Sequence, residues 1–161
     1  MGRVLCLVIG YVFGLFQTGY LYGKMNHIDI RNYGSGNSGT TNALRVLGKK
    51  AGLIVFAGDF LKTVFACLAV RIIFKASPDT DLYVLYAGLG VVLGHNFPCY
   101  LHFKGGKGIA SMAGLLVSMD WRVTLVCAAL FLGAVIITRY VSLGSVSYTH
   151  LTLPTKLEVE I

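Results

Sequence analysis

Two short stretches hold most of the residues in this chain that can do chemistry. "GSGNSGTTNALRVLGKK", residues 34–50, sets glycines, hydroxyls and amides ahead of an arginine. Glycines let backbone N–H groups converge on an anion. Ser35, Ser38, Thr40 and Thr41 offer hydroxyls, and Asn37 and Asn42 offer amides. Arg45 offers a planar fork suited to two phosphate oxygens. "FKGGKG", residues 103–108, sets Lys104 and Lys107 around Gly105 and Gly106. It reads as a glycine-rich turn into a helix start, which is a ready anion site. Upstream, "GHNFP" brings His95 near the same boundary. Alone, the first stretch also fits an ordinary Gly/Ser/Asn turn. Two such basic segments together point to a polyanionic substrate.

Better-known patterns do not fit. Gly34, Gly36 and Gly39 spell GxGxxG, but a dinucleotide fingerprint needs a preceding strand and a βαβ unit. "YGKMNHIDIRNY" is at best a weak strand, and Asp59, at a tempting distance beyond, lies in an apolar run. "FKGGKG" is no Walker loop: Leu101 stands where a glycine is needed, and Gly108 follows Lys107. The spacing of Ser35 and His95 demonstrates no Ser-His-Asp arrangement. Cys6, Cys67, Cys99 and Cys127 have neither zinc-ligand nor redox spacing and are expected to be small buried hydrophobes.

The elements that must position these residues are membrane helices. Of 161 residues, 55% are hydrophobic and 13% charged, and the mean hydropathy is +0.70. A soluble domain of this size could not hide so much apolar surface. The net charge of +7 collects in short polar connections, which fits positive-inside topology and not a nucleic-acid face. The apolar runs predict an all-α, polytopic integral membrane bundle with five spans, over residues 4–23, 51–75, 82–97, 109–119 and 121–138. The fourth is short unless it starts inside the glycine segment or continues past Asp120 and Trp121. The first reads as a retained helix and not a cleaved signal. Its Gly10, Gly14, Gly19 and Gly23 make a small face for close packing. The second carries Asp59 and Lys62 on one face, a pair expected inside the bundle bordering the site. Thr41 or Asn42 is expected to cap a short helix through "ALRVLG".

The first and third connections are basic, with Lys24, Arg31, Arg45, Lys49 and Lys50 in one and Lys104 and Lys107 in the other. The second, "ASPDTD", is acidic. This predicts an external N-terminus with both glycine-rich loops cytoplasmic. "VSYTHLTLPTKLEVEI", from Val146, lacks span periodicity. It is read as a tail (146–161) outside a membrane domain of 1–145, either a cloning or assembly remnant or a genuine amphipathic end.

"GSGNSGTTNALRVLGKKAG" and "GHNFPCYLHFKGGKGIAS" resemble the first two signatures of the bacterial acyl-phosphate:glycerol-3-phosphate acyltransferase family. "TRYVSLGS", residues 138–145, resembles the start of the third. The resemblance runs in order over residues 4–145. It implies an inner-membrane enzyme of seven helices whose loops meet on the cytoplasmic side. It implies acyl transfer from acyl-phosphate to the 1-hydroxyl of glycerol 3-phosphate, giving lysophosphatidic acid and inorganic phosphate. It implies no cofactor, no metal and no direct use of acyl-CoA or acyl-carrier protein. The implied partners are the two substrates and membrane lipid, with no nucleic acid and no obligate protein partner. Ser35, Arg45 and Lys104 are then expected to be catalytic. Gly36, Asn37, Thr41, Asn42, His95, Gly105, Gly106, Lys107 and Ser142 are expected to bind substrate. The glycerol hydroxyl attacks directly, without an acyl-serine, and His95 serves as a hydrogen-bonding residue and not as the base. After Ser145 the chain departs from the family pattern, which continues through two helices and a His/Asn/Arg/Glu cluster. Two rivals follow: an inactive membrane fragment, and a transporter of a phosphorylated metabolite built on broken helices.

Overall fold

A computed structural model describes residues 1–138. Ser142 and the 146–161 tail, both singled out above, lie outside the described residues, as do residues 139–145 of "TRYVSLGS". Among the described residues the chain is all α-helical apart from turns and two short 3-10 segments. Its helices are α1 (Gly2–Gly14), α2 (Thr18–Met25), α3 (Thr40–Leu47), α4 (Lys49–Ile73), α5 (Thr80–Asn96), α6 (Ile109–Met119) and α7 (Trp121–Thr138).

Among the described residues three segments, not five, are long and apolar enough to cross a membrane: Gly2–Met25, Lys49–Ile73 and Thr80–Leu101. The correction follows from helix rise. α6 has 11 residues, which at 1.5 Å each reach about 17 Å, roughly half of a hydrocarbon core. It neither begins inside the glycine segment nor runs through Asp120. The apolar stretch Trp121–Gly133 is likewise a shorter helix by this measure.

Residues 1–119 form one compact unit, and the described residues from 120 onward belong to a second. In the first, α1 and α5 pack backbone against backbone. A Cβ at Gly10 would strike the Ala87 carbonyl, one at Gly14 the Val91 carbonyl, and one at Gly94 the Tyr11 carbonyl. The small face of the first run therefore does serve close packing, but only its α1 half meets α5. Gly19 lies instead under the Ser38 carbonyl.

α4 passes through three tiers. Val55 joins Ile30 and Ala43 in an apolar cluster beneath the first glycine-rich loop. Asp59 and Lys62 follow, both buried. Cys67 and Val70 then join Cys6, Val84, Ala87 and Leu115 in a second apolar cluster. The outward side chains of the same helix, among them Leu53, Phe65 and Ile72, are exposed. A helix with buried charge and exposed leucine has lipid for solvent. In the second unit, α7 opens on Asp120, whose carboxylate accepts the Arg122 N–H at 2.8 Å. Cys6 and Cys67 are buried as expected, whereas Cys99 is exposed.

Candidate active site

The first predicted span is not one helix. It breaks at residues 15–17, between α1 and α2. A break inside a membrane leaves carbonyls that water cannot reach, each costing several kcal/mol if unmet. Here each is met. The Tyr100 hydroxyl donates to the Leu15 carbonyl at 2.8 Å. Lys62 Nζ donates to the Phe16 carbonyl at 2.7 Å and reaches the Gly14 carbonyl at 3.5 Å.

The charges match the broken dipole. Lys62 stands at the C-terminal end of α1, where a cation is favoured. Asp59 accepts the hydroxyl of Thr18, the first residue of α2, at 3.1 Å, where an anion is favoured. The two are 2.9 Å apart. The intramembrane pair noticed in the sequence thus holds a helix break open.

Lys62 Nζ also lies 2.9 Å from His95 Nδ1. An ammonium can only donate, so Nδ1 accepts and the ring proton sits on Nε2. His95 Nε2 faces Gly106, where an added Cβ would collide with the ring. The second loop folds tightly over this histidine. Gly105 N–H donates to the Asn96 carbonyl at 3.1 Å and Gly106 N–H to the His95 carbonyl at 3.0 Å. Ahead of Lys104, His102 and Phe103 both hold left-handed backbone, with φ of 56° and 58°, a conformation that costs a non-glycine residue about 1–2 kcal/mol. This turn carries Lys104 and Lys107 into exposed positions.

The first loop is built around Asn42. Its Nδ2 donates to the carbonyls of Asn37 (2.8 Å), Ile30 (3.0 Å) and Tyr33 (3.0 Å). Its Oδ1 accepts the Ser35 N–H at 2.9 Å. Asn42 is buried and wholly engaged in shaping the loop. Gly34 and Gly36 take left-handed backbone, with φ of 61° and 70°. A Cβ at Gly34 would also run into Asn42 Oδ1. Neither Thr41 nor Asn42 caps α3; its N-cap is Gly39, with no side-chain cap bond, because Asn42 already lies inside the helix and turns back to the loop. Asn37 Oδ1 accepts the Gly39 N–H at 2.8 Å. The N-terminus of α3 is a helix end favourable to anions, and Ser35 and Thr41 near it are exposed.

Electrostatics leave this side cationic. Asp29 is clamped by Arg31 through bonds of 2.7 and 3.0 Å. That bond holds the Asp29 carboxyl below its usual value and the Arg31 guanidinium above its own. Arg45, Lys104 and Lys107 are exposed, and no ion pair with them occurs among the described residues.

Gln17, Thr18 and the coupling of Ser38 to the break were missed from the sequence. The signal was the "FQTGY" interruption of an apolar run, since polar side chains inside a span are costly and need partners.

The glycerol-3-phosphate acyltransferase family model matches residues 4–157. The glycerol-3-phosphate acyltransferase of Clostridioides difficile (strain 630) is 45% identical over 148 residues, covering 89% of this chain and 71% of that protein. That of Thermoanaerobacter sp. (strain X514) is 43% identical over 148 residues, covering 91% and 72%. Among solved structures, PlsY (YgiH), an integral membrane glycerol 3-phosphate acyltransferase, superposes in its glycerol 3-phosphate form with a TM-score of 0.82 at 37% identity, over 92% of this chain and 73% of that one. Its lysphosphatidic acid form gives 0.80 at 36% identity, over 92% and 72%. With both glycine-rich loops inside the matched region, the chain belongs to the glycerol-3-phosphate acyltransferase family of integral membrane proteins.

Proposed function

We propose that this chain transfers a fatty acyl group from acyl-phosphate to the 1-hydroxyl of sn-glycerol 3-phosphate. The observation that carries the reading is the presence of two glycine-rich loops whose arginine and lysines have no acidic partner among the described residues, in a chain of this family. Two phosphorylated substrates repel each other, and three cations with converging N–H groups offset that repulsion. The hydroxyl oxygen attacks the acyl carbon. The bond from that carbon to the bridging phosphate oxygen breaks, and phosphate leaves with the electron pair. The hydroxyl proton passes to a phosphate oxygen, so the step balances without an enzyme-bound intermediate.

In this reading Arg45 and Lys104 grip phosphate, with Ser35 and Thr41 as hydroxyl donors and Lys107 as a further cation. Gly36, Gly105 and Gly106 bring backbone close to the anions. Asn37 and Asn42 shape the first loop, and His95 supports the second. Ser142, outside the described residues, is proposed to bind substrate. The purified chain in lipid should form lysophosphatidic acid and one phosphate per acyl-phosphate consumed. Release of phosphate at an equal rate without glycerol 3-phosphate would mean hydrolysis and overturn the transfer reading. Counterflow of glycerol 3-phosphate in sealed vesicles without acylated product would install the transporter.

The topology belongs to the same proposal: N-terminus outside, both loops cytoplasmic. The basic connections support it, and three spans preserve it. In a chain whose native cysteines are replaced, Asn32→Cys and His102→Cys should resist an impermeant thiol reagent added outside, and Asp79→Cys should react. All three positions are exposed. The opposite labelling pattern would invert the orientation.

A further inference from the structure

Gln17 lies in the helix break with no exposed surface. Its Oε1 accepts the Ser38 hydroxyl at 3.1 Å. Its Nε2 donates to the His95 carbonyl at 2.9 Å, the same oxygen that accepts the Gly106 N–H at 3.0 Å. Longer approaches of 3.3 Å reach the Gly14 and Gly94 carbonyls. Ser38 belongs to the first loop and Gly106 to the second. One buried amide therefore touches both anion loops, one directly and the other through a shared carbonyl.

A glutamine here could serve only to satisfy the break. The geometry argues otherwise. The Leu15 and Phe16 carbonyls are taken by Tyr100 and Lys62. The shorter bonds of Gln17 run away from its own break, to Ser38 and to His95. A buried polar group left unmatched is costly, so the amide has little freedom to choose other partners. The Asp59–Lys62 pair fixes the break, the break fixes Gln17, and Gln17 spans the loops.

We propose that Gln17 is a positioning residue for acyl transfer, holding the loop at 34–39 and the loop at 104–108 in one register. This rests on the functional reading above. Each loop keeps its own anion ligands without Gln17, so substrate affinity changes little. What changes is the placement of one bound substrate against the other. An error of about 1 Å in that placement costs on the order of 100-fold in rate.

Gln17→Met keeps length and volume but cannot bond. In lipid, amide hydrogen exchange should quicken at residues 34–42 and at residues 104–108, while α4 and α5 keep their protection. With activity normalised to folded protein, kcat should fall about 10- to 100-fold, with both KM values within about threefold. Ser38→Ala, a smaller change that cuts the bridge on one side, should quicken exchange in the first loop alone. Adding Gln17→Met to it should reduce kcat by less than the product of the two single effects, because both sever the same bridge. Faster exchange in neither loop or in only one for Gln17→Met, faster exchange throughout residues 1–119, or an undiminished kcat would each overturn the assignment. A wild-type chain that transfers no acyl group would sink the functional reading, and the exchange measurement would still decide the register.

Discussion

Arg45→Lys should lose much of the acyl-transfer activity although it keeps the charge. Lysine supplies a point charge in place of the five-donor fork, and a bidentate grip on phosphate has no substitute in it. Arg45 stands exposed at the end of α3 with no acidic partner among the described residues, free to engage a substrate. Lys104→Ala should lose more. Lys104 follows two residues held in left-handed backbone, so its place is set by the turn and a neighbouring cation cannot take it over. A charge-assisted bond missing from a closed site is worth about 2–4 kcal/mol, or roughly 30- to 1000-fold in rate. Added salt should rescue neither variant, since screening does not replace a directed bond. The measurement is acyl transfer from acyl-phosphate to glycerol 3-phosphate, normalised to folded protein. Turnover near wild type in both variants would remove these loops as the phosphate site.

Lys62→Met should be the most destabilising single substitution in the polar tier. It removes the partner of a carboxylate with almost no exposed surface and uncaps the Phe16 carbonyl. Breaking a buried pair from one side costs about 3–5 kcal/mol, because the remaining charge is stranded. Asp59→Asn combined with Lys62→Met strands no charge and should recover a large part of that loss. Once the exposed Cys99 and the half-buried Cys127 are replaced by serine, the chain supplies its own probe, since Cys6 and Cys67 are buried and a thiol-reactive dye meets them only on unfolding. Lys62→Met should shift the thermal midpoint of dye reaction down by several degrees, with the double variant in between. Equal midpoints for wild type and both variants would show that the pair does not hold the break.

These two expectations were unequally visible beforehand. Arg45 and Lys104 stand out in the sequence because glycine, hydroxyl and cation in close succession are local chemistry. The Asp59–Lys62 pair was visible as a spacing, and its burial followed from the cost of charge in lipid. Its partner was not visible, because the carbonyls it serves belong to a break some 45 residues earlier, and a carbonyl has no letter. The span count failed for a related reason. Hydropathy measures how greasy a run is, whereas crossing also depends on length, and α6 stops at 11 residues.

By itself the sequence determined the class of solvent, the helical composition and the two basic, glycine-rich loops. Each follows from residues adjacent in the chain: apolar runs, glycines beside hydroxyls, and lysines beside a turn. Only the tertiary structure decided that the first span breaks, that Asn42 builds its loop, and that Gln17 joins Ser38 to the His95 carbonyl. Those facts turn on backbone oxygens lying from 5 to 78 positions away from the amide they meet, the Asn37 carbonyl from Asn42 and the His95 carbonyl from Gln17. Every residue has such an oxygen, so the pattern of letters does not mark which ones a buried amide will find.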